Sequence, residues 1–108
     1  MKPEKIEQVA VKYHQLLSPN YEPIRFTEER FATAREYRPE ERTLYLQHAC
    51  FMSLKIQQFV RADKPARIEK ADRWLGNLQR ILSMTGLISM KEAALDNAPD
   101  GAIYDRDA

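Results

Sequence analysis

The apolar residues of this chain recur at helical spacing over three long segments. In residues 3–17, 39–61 and 65–85 most apolar side chains lie three or four positions apart, which gathers them along the sides of α-helices. Each segment has a proline in its first turn, where a missing backbone N–H is tolerated. No run of alternating apolar and polar residues is long enough to indicate a β-strand. The pattern predicts an all-α fold, a small antiparallel helical bundle of three long helices plus one or two short ones.

Two short helices are predicted from local signals. Thr27 is suited to N-cap a helix that runs to about Glu36. It follows a stretch at 18–26 that contains two prolines and is expected to be extended or looped. Ser89 opens a capping-box pattern, which predicts a last short helix to about Asp96.

The third long helix has a signal at each end. Asp63 is suited to be its N-cap, with Pro65 in the first turn. Gly86 is suited to the position after the C-cap, where a left-handed backbone conformation is common. The helix is therefore expected to lie between these two residues.

The composition fits one folded domain. The chain has 108 residues, of which 44% are hydrophobic and 31% charged, close to the averages of globular proteins. We expect a single helical domain over 1–97 and a flexible, polar and acidic tail over 98–108. The net charge of +1 argues against a protein that strongly seeks polyanions.

The sequence favours a cytoplasmic location. Cys50 is the single cysteine and has no partner for an internal disulfide, which fits a reducing compartment. The first residues contain no apolar run typical of a signal peptide, and no segment approaches the roughly 20 apolar residues of a membrane span. We therefore expect no membrane association.

The middle long segment is apolar on two sides. One stripe consists of Tyr45, Ala49, Met52, Ile56 and Phe59. A second line, nearly opposite, consists of Leu46, Cys50 and Leu54. A helix that is apolar on two sides is usually buried on two sides. It is either the central helix of the bundle or a helix shared with another subunit, and we expect a homodimer.

Gly76 interrupts the polar side of the third long segment. A glycine inside a helix costs about 1 kcal/mol relative to alanine, so it indicates the close approach of another backbone, or else a neutral glycine or a kink. The neighbouring Trp74 lies at the edge of the core stripe, where it either packs in the core or contacts a partner. The candidate interface comprises Leu46, Cys50, Leu54, Arg73, Trp74, Gly76 and Arg80.

His48 and Lys55 form a candidate polar pair on the apolar side of the middle segment. They are seven residues apart and so lie on one face of the helix. A buried lysine can lose its charge and act as a base, which would suit a catalytic or ligand-binding pair. The alternative is a histidine that satisfies a hydrogen bond in the core and a lysine that extends along the surface.

No motif indicates catalysis or a cofactor. The chain contains three histidine and cysteine residues in total, whereas a structural zinc site usually needs four such ligands. It has neither a glycine-rich phosphate loop nor a GxSxG nucleophile turn. We expect a non-enzymatic protein without cofactor or metal.

Basic residues are concentrated in one part of the chain. Residues 53–81 carry seven positive and three negative charges. The positive residues over 61–80 are Arg61, Lys64, Arg67, Lys70, Arg73 and Arg80. They could contact nucleic acid, but a spacing of three distributes most of them around a helix, which is more typical of a solvated surface.

Part of the chain carries a recognisable motif. Within 48–99 it reads His48-x3-Met52, Phe59-Val60, Glu69-Lys70-Ala71-x-Arg73-Trp74-Leu75-Gly76-x2-Gln79-x2-Leu82-x3-Gly86 and Asn97-x-Pro99. This resembles a group of small phage- and prophage-encoded proteins with an EKxxRWLG-type signature. The chain differs from the group at Asn77, Arg80 and Ser83. The group has no assigned activity, so the resemblance implies an accessory protein of a mobile element.

Two functions are favoured over a third, an enzyme that would need His48 and Lys55 to open into a pocket beside another polar group. The first is a non-enzymatic helical protein–protein interaction module, a homodimeric phage or prophage accessory or regulatory protein. The alternative is a nucleic-acid-associated regulator that uses the basic 61–80 segment.

Overall fold

A computed structural model describes residues 1–26 and 37–99 of the chain. These ranges contain four α-helices: α1 (Pro3–Leu17), α2 (Arg42–Arg61), α3 (Pro65–Met84) and α4 (Met90–Asn97). A short 3₁₀ turn at Pro39–Glu41 leads into α2. The described part of the chain contains no β-strand. The predicted all-α bundle of three long helices is confirmed.

The helix α2 is the central element of the bundle. It packs along both α1 and α3, and the short α4 lies against α1 and α3. The core takes side chains from all three long helices, because each turns its apolar side inward. The most deeply buried large side chains are Tyr13, Ile6, Leu17, Leu46, Ile56, Leu75, Leu78 and Leu82.

The two apolar sides of α2 are covered mainly by the chain itself. Leu46 and Cys50 on the second line are both 0% exposed, and Leu54 is half-buried. Of the two interpretations of this line, the central helix of the bundle therefore describes Leu46 and Cys50, and neither needs a second subunit for its burial. The physical reason is that α2 packs along both α1 and α3, so that the chain's own helices withdraw these two side chains from solvent.

The end of α3 follows its local sequence signal. Gly86 has φ +80°, and its N–H donates to the Ser83 carbonyl oxygen at 3.0 Å. The Leu87 N–H donates to the Leu82 carbonyl oxygen at 2.9 Å, which completes a Schellman motif. The prediction for Gly86 is confirmed.

The other helix ends agree with the sequence in part. The Glu92 N–H donates to Ser89 Oγ at 3.0 Å, so Ser89 caps α4 as predicted. Asp63 is not the N-cap of α3, because that position is occupied by Lys64 in an extended conformation. Asp63 instead has φ +53° in the turn between α2 and α3. The backbone of 18–26 is non-helical, as expected.

Two predictions fall on other parts of the chain. The short helix expected from Thr27 to about Glu36 and the acidic stretch at 100–108 lie outside the described residues.

Candidate interaction surfaces

The first candidate surface lies where α2 and α3 meet, and we call it the cation–aromatic patch: Phe59, Arg67, Lys70 and Trp74. The rings of Phe59 and Trp74 meet edge to face, with centroids 5.0 Å apart and an interplanar angle of 89°. Lys70 Nζ lies 5.0 Å from the Phe59 centroid and 5.7 Å from the Trp74 centroid. Arg67 Cζ lies 5.7 Å from the Phe59 centroid. Both cations are thus within the range of cation–π attraction.

The patch is open to solvent and positively charged. Phe59, Trp74 and Lys70 are half-buried, and Arg67 is exposed. Within residues 1–26 and 37–99, no carboxylate forms an ion pair with Arg67 or Lys70. Both cations are therefore held beside aromatic rings while their charge remains available to an external anion.

The second candidate surface is the outer face of α3, formed by Glu69, Asp72, Arg73, Gly76 and Arg80. All five residues are exposed. A methyl group built on Gly76 would meet no neighbouring atom within 4 Å. The Asp72 carboxylate forms an ion pair with the N-terminal ammonium group, with Oδ2 and the ammonium nitrogen 3.5 Å apart. No such contact involves Arg73 or Arg80 in the described ranges.

The predicted interface residues therefore fall into three environments. Arg73, Gly76 and Arg80 lie together on the outer face of α3, as the helical spacing indicates. Trp74 lies in the cation–aromatic patch, where it both packs against Phe59 and remains partly accessible. The last group, Leu46 and Cys50 with the half-buried Leu54, belongs to α2 and forms no surface with the others.

The basic residues of α3 are distributed around the helix. Arg67 and Lys70 lie beside the rings near α2, whereas Arg73 and Arg80 belong to the outer face of α3. This division follows from the helical repeat, which turns about 100° with each residue.

The His48 side chain on α2 is hydrogen-bonded to the backbone of the loop at 18–26. The Phe26 N–H donates to His48 Nδ1 at 3.2 Å, so this nitrogen carries no proton. The imidazole stacks near the rings of Phe26 and Phe51, with centroids 6.0 and 5.9 Å away. Burial lowers the pKa of His48 to about 4, and the positive charge of Arg25 acts in the same direction. His48 is a neutral hydrogen-bond acceptor that fastens the loop to α2.

This environment predicts that stability falls as the solution becomes acidic. The ordinary pKa of 6.5 applies to the unfolded chain, whereas the folded pKa is about 4. Between these values the unfolded state binds a proton that the folded state does not, so acid favours unfolding. After allowance for solvent screening of a half-buried ring, we expect this difference in His48 protonation to lower the free energy of unfolding by about 1–2 kcal/mol as the pH falls through this window. Urea titrations across the window measure it.

The matched variant is His48→Gln, whose side-chain oxygen can still accept from Phe26 but does not titrate. The expected result is a shallower loss of stability in the variant than in the original chain. Equal losses would show that His48 contributes nothing to the acid sensitivity.

The candidate pair His48 and Lys55 is not brought together. Both side chains are half-buried on α2, and seven residues separate them by about 10 Å along the helix axis. No hydrogen bond joins them in the described ranges. The alternative in which His48 satisfies a hydrogen bond describes the structure better.

A shallow groove lies elsewhere, beside the start of α1. It has a volume of about 450 Å³ and is lined by Pro3, Glu4, Glu7, Gln8, Val11, Val60 and Asp63. Neither His48 nor Lys55 lines it, and its lining residues include no histidine, cysteine or serine.

A polar network that the helical pattern does not indicate joins α4 to the rest of the bundle. Gln79 is 6% exposed, although the helical pattern places it on the polar side of α3. Its Nε2 donates to Asn97 Oδ1 at 2.7 Å and to Tyr13 Oη at 3.0 Å, and its Oε1 accepts from Asn97 Nδ2 at 3.0 Å. Tyr13 Oη donates to Asp96 Oδ2 at 2.8 Å, and Lys12 pairs with the same carboxylate.

The protonation state of the Tyr13 phenol fits its role as a donor in this network. Burial raises the pKa of Tyr13 above its ordinary value, so the phenol stays protonated and its O–H donates a hydrogen bond to Asp96. The signal that could have indicated the network is Tyr13 itself, because a tyrosine on a buried stripe needs a partner for its hydroxyl group.

Other kinds of site have little support in the described residues. Over 1–26 and 37–99, no three His, Cys, Asp or Glu side chains are placed to hold a metal ion. No helix in this part of the chain combines the length and apolar character that crossing a bilayer requires. Cys50 is buried, and burial raises the pKa of its thiol, so it lacks the low pKa of a reactive cysteine.

Comparison with known proteins gives no relative for the chain. No protein-family model matches it, and no curated protein and no solved structure is significantly similar to it. The resemblance to phage and prophage proteins therefore stays a prediction. Four residues of the motif have identifiable contacts in the structure. Gln79 and Asn97 are hydrogen-bonded to each other, and Lys70 and Trp74 belong to the cation–aromatic patch.

Proposed function

We propose that this chain is a non-enzymatic helical interaction module that binds an acidic segment of a partner protein at the cation–aromatic patch. The observation that carries the proposal is the position of Lys70, within 6 Å of two partly exposed rings and without a carboxylate partner in the described ranges. Carboxylates of the partner would pair with Lys70 and Arg67. An adjoining apolar side chain of the partner would cover the exposed part of Trp74.

The composition of the patch suits such a partner. Tryptophan and arginine are enriched among the residues that dominate binding energy at protein interfaces. An aromatic ring contributes a large apolar area, while the flanking cations select the sign of the partner's charge. The patch therefore combines apolar contact with charge selection.

An acidic peptide fits better than a nucleic acid. A protein that binds duplex DNA strongly contacts on the order of 6–10 phosphates, whereas the patch offers two cations. The further cations Arg73 and Arg80 lie on another face, beside the carboxylates of Glu69 and Asp72. Those carboxylates would repel a continuous phosphate backbone.

Tryptophan fluorescence tests the proposal directly, because Trp74 is the only tryptophan in the chain. We expect a synthetic peptide of glutamate and leucine to change this fluorescence in a saturable way, more weakly at high salt. The double variant Arg67→Glu with Lys70→Glu is expected to raise the Kd at least about tenfold, because both attractive charges become repulsive.

A matched control carries the same change of charge elsewhere. Lys2→Glu with Arg38→Glu alters two exposed cations outside the patch and should leave the Kd nearly unchanged. A lysine–leucine peptide of equal length should not bind. Preferential binding of single-stranded oligothymidine would overturn the proposal in favour of the nucleic-acid alternative, and a Trp74 signal that responds to no probe would overturn it outright.

The biological setting of this module is inferred from the sequence. The motif resemblance favours an accessory or regulatory protein of a phage or prophage, and the single cysteine favours the cytoplasm.

A further inference from the structure

We infer that the outer face of α3 binds the same face of a second copy of the chain, with the two helices antiparallel and crossing at Gly76. This inference does not depend on the acidic-peptide proposal. Gly76 and Trp74 are two residues apart and therefore point about 160° away from each other around the helix. One face can be occupied while the other stays open.

The chain's own fold gives no reason for a glycine at position 76. A methyl group added there would meet no atom within 4 Å, so the bundle does not need the space. Gly76 also does not have the positive φ that favours glycine. Over residues 1–26 and 37–99, positive φ values are found at Gly86 and Asp63. A glycine in this position lowers helix stability, and its benefit is that another backbone can approach closely.

The charges beside Gly76 indicate what approaches. Asp72 precedes the glycine by four residues and Arg80 follows it by four, so the three residues form one row along the helix. Opposite charges thus lie at equal distances from Gly76. When two such rows meet in antiparallel orientation, each Asp72 faces the Arg80 of the other copy.

This arrangement is self-complementary, as a two-fold symmetric interface requires. Both charged residues are accessible: Arg80 is exposed and has no ion pair within 1–26 and 37–99, and the Asp72 side chain is 46% exposed beside the N-terminal ammonium group. A partner with one sign of charge would match only half of the row. A second copy matches both halves.

Sedimentation velocity over a series of protein concentrations tests the inference. Exposed ion pairs are weak and screened by salt, so we expect a dimer that forms at high protein concentration and low salt. Asp72→Arg and Arg80→Asp should each raise the dimer Kd about tenfold, because attraction becomes repulsion at two symmetric sites. Combining the two substitutions should return the Kd to within about threefold of the original value.

Gly76→Leu supplies an independent test that involves no charge. Its side chain projects into open space in the single chain, so the helical circular dichroism should be unchanged while dimerisation is lost. Glu22→Arg and Ala62→Leu make similar changes at exposed positions outside α3 and should leave the Kd unaltered.

Three results would overturn the inference. They are a monomer at every concentration, a combined charge variant as weak as the single ones, and a Gly76→Leu variant that still dimerises. Each is separate from the outcome of the fluorescence titration, which probes the other side of α3.

Discussion

Replacing Leu46 with alanine is expected to lower the free energy of unfolding by about 2–5 kcal/mol, the usual cost of removing a buried leucine side chain. Leu46 is 0% exposed in the single chain, on the central helix between α1 and α3. The alanine would leave a cavity that neighbouring helices can fill only in part. Urea denaturation followed by circular dichroism measures the loss.

The matched control is Leu16→Ala, the same substitution at a position that is 42% exposed on α1. It should cost well under half as much, because little apolar area is withdrawn from water there. The measurement also checks that Leu46 is buried within a single chain. Burial within one chain gives a loss that is independent of protein concentration, whereas burial against a second subunit makes the loss depend on it.

Replacing Gln79 with alanine is expected to lower the free energy of unfolding by about 2–3 kcal/mol. The substitution removes the hydrogen bonds of Gln79 to Tyr13 Oη and to both polar atoms of Asn97. Asn97 would lose its side-chain partner at the end of α4. Amide hydrogen exchange in α4 should therefore become faster than in the rest of the bundle.

Asn77→Ala is the control for this prediction, since Asn77 is exposed on the same helix. It should change stability by no more than about 0.5 kcal/mol. A double-mutant cycle between Gln79→Ala and Asn97→Ala should show a coupling energy of at least about 0.5 kcal/mol. Additive losses would contradict the network, because they would mean that the two side chains contribute independently.

The two proposed surfaces give α3 a double role. Its side near α2 presents Trp74 and Lys70 to a partner, and its outer face presents Gly76 between Asp72 and Arg80 to a second copy. A dimer formed in this way would leave one cation–aromatic patch open on each copy. It could thus bind two acidic segments at once, and their linkage would raise the overall affinity.

Several elements of the fold were predictable because the interactions that form them are local. The bounds of α1, the Schellman motif at Gly86 and the cap at Ser89 each depend on hydrogen bonds between residues a few positions apart. The N-cap of α3 shows the limit of this argument. Asp63 is a favourable cap by residue type, yet the turn after α2 places it at φ +53°.

The candidate surfaces were predictable only in part. Helical spacing alone placed Arg73, Gly76 and Arg80 on one exposed face, because spacing within a helix fixes which residues share a side. It could not show that Trp74 meets Phe59, fifteen positions earlier in the chain. It also placed Gln79 on the polar side of α3, where α4 in fact buries it against Tyr13 and Asn97.

By itself, the sequence determined the class of fold, the positions of the three long helices and most of their ends. The tertiary structure decided what covers each helix: that the chain's own helices bury Leu46 and Cys50 on α2, and that two aromatic rings and two cations form a patch. The physical reason is that periodicity specifies the direction of a side chain around its own helix. Which neighbour lies in that direction depends on how helices distant in the sequence pack together.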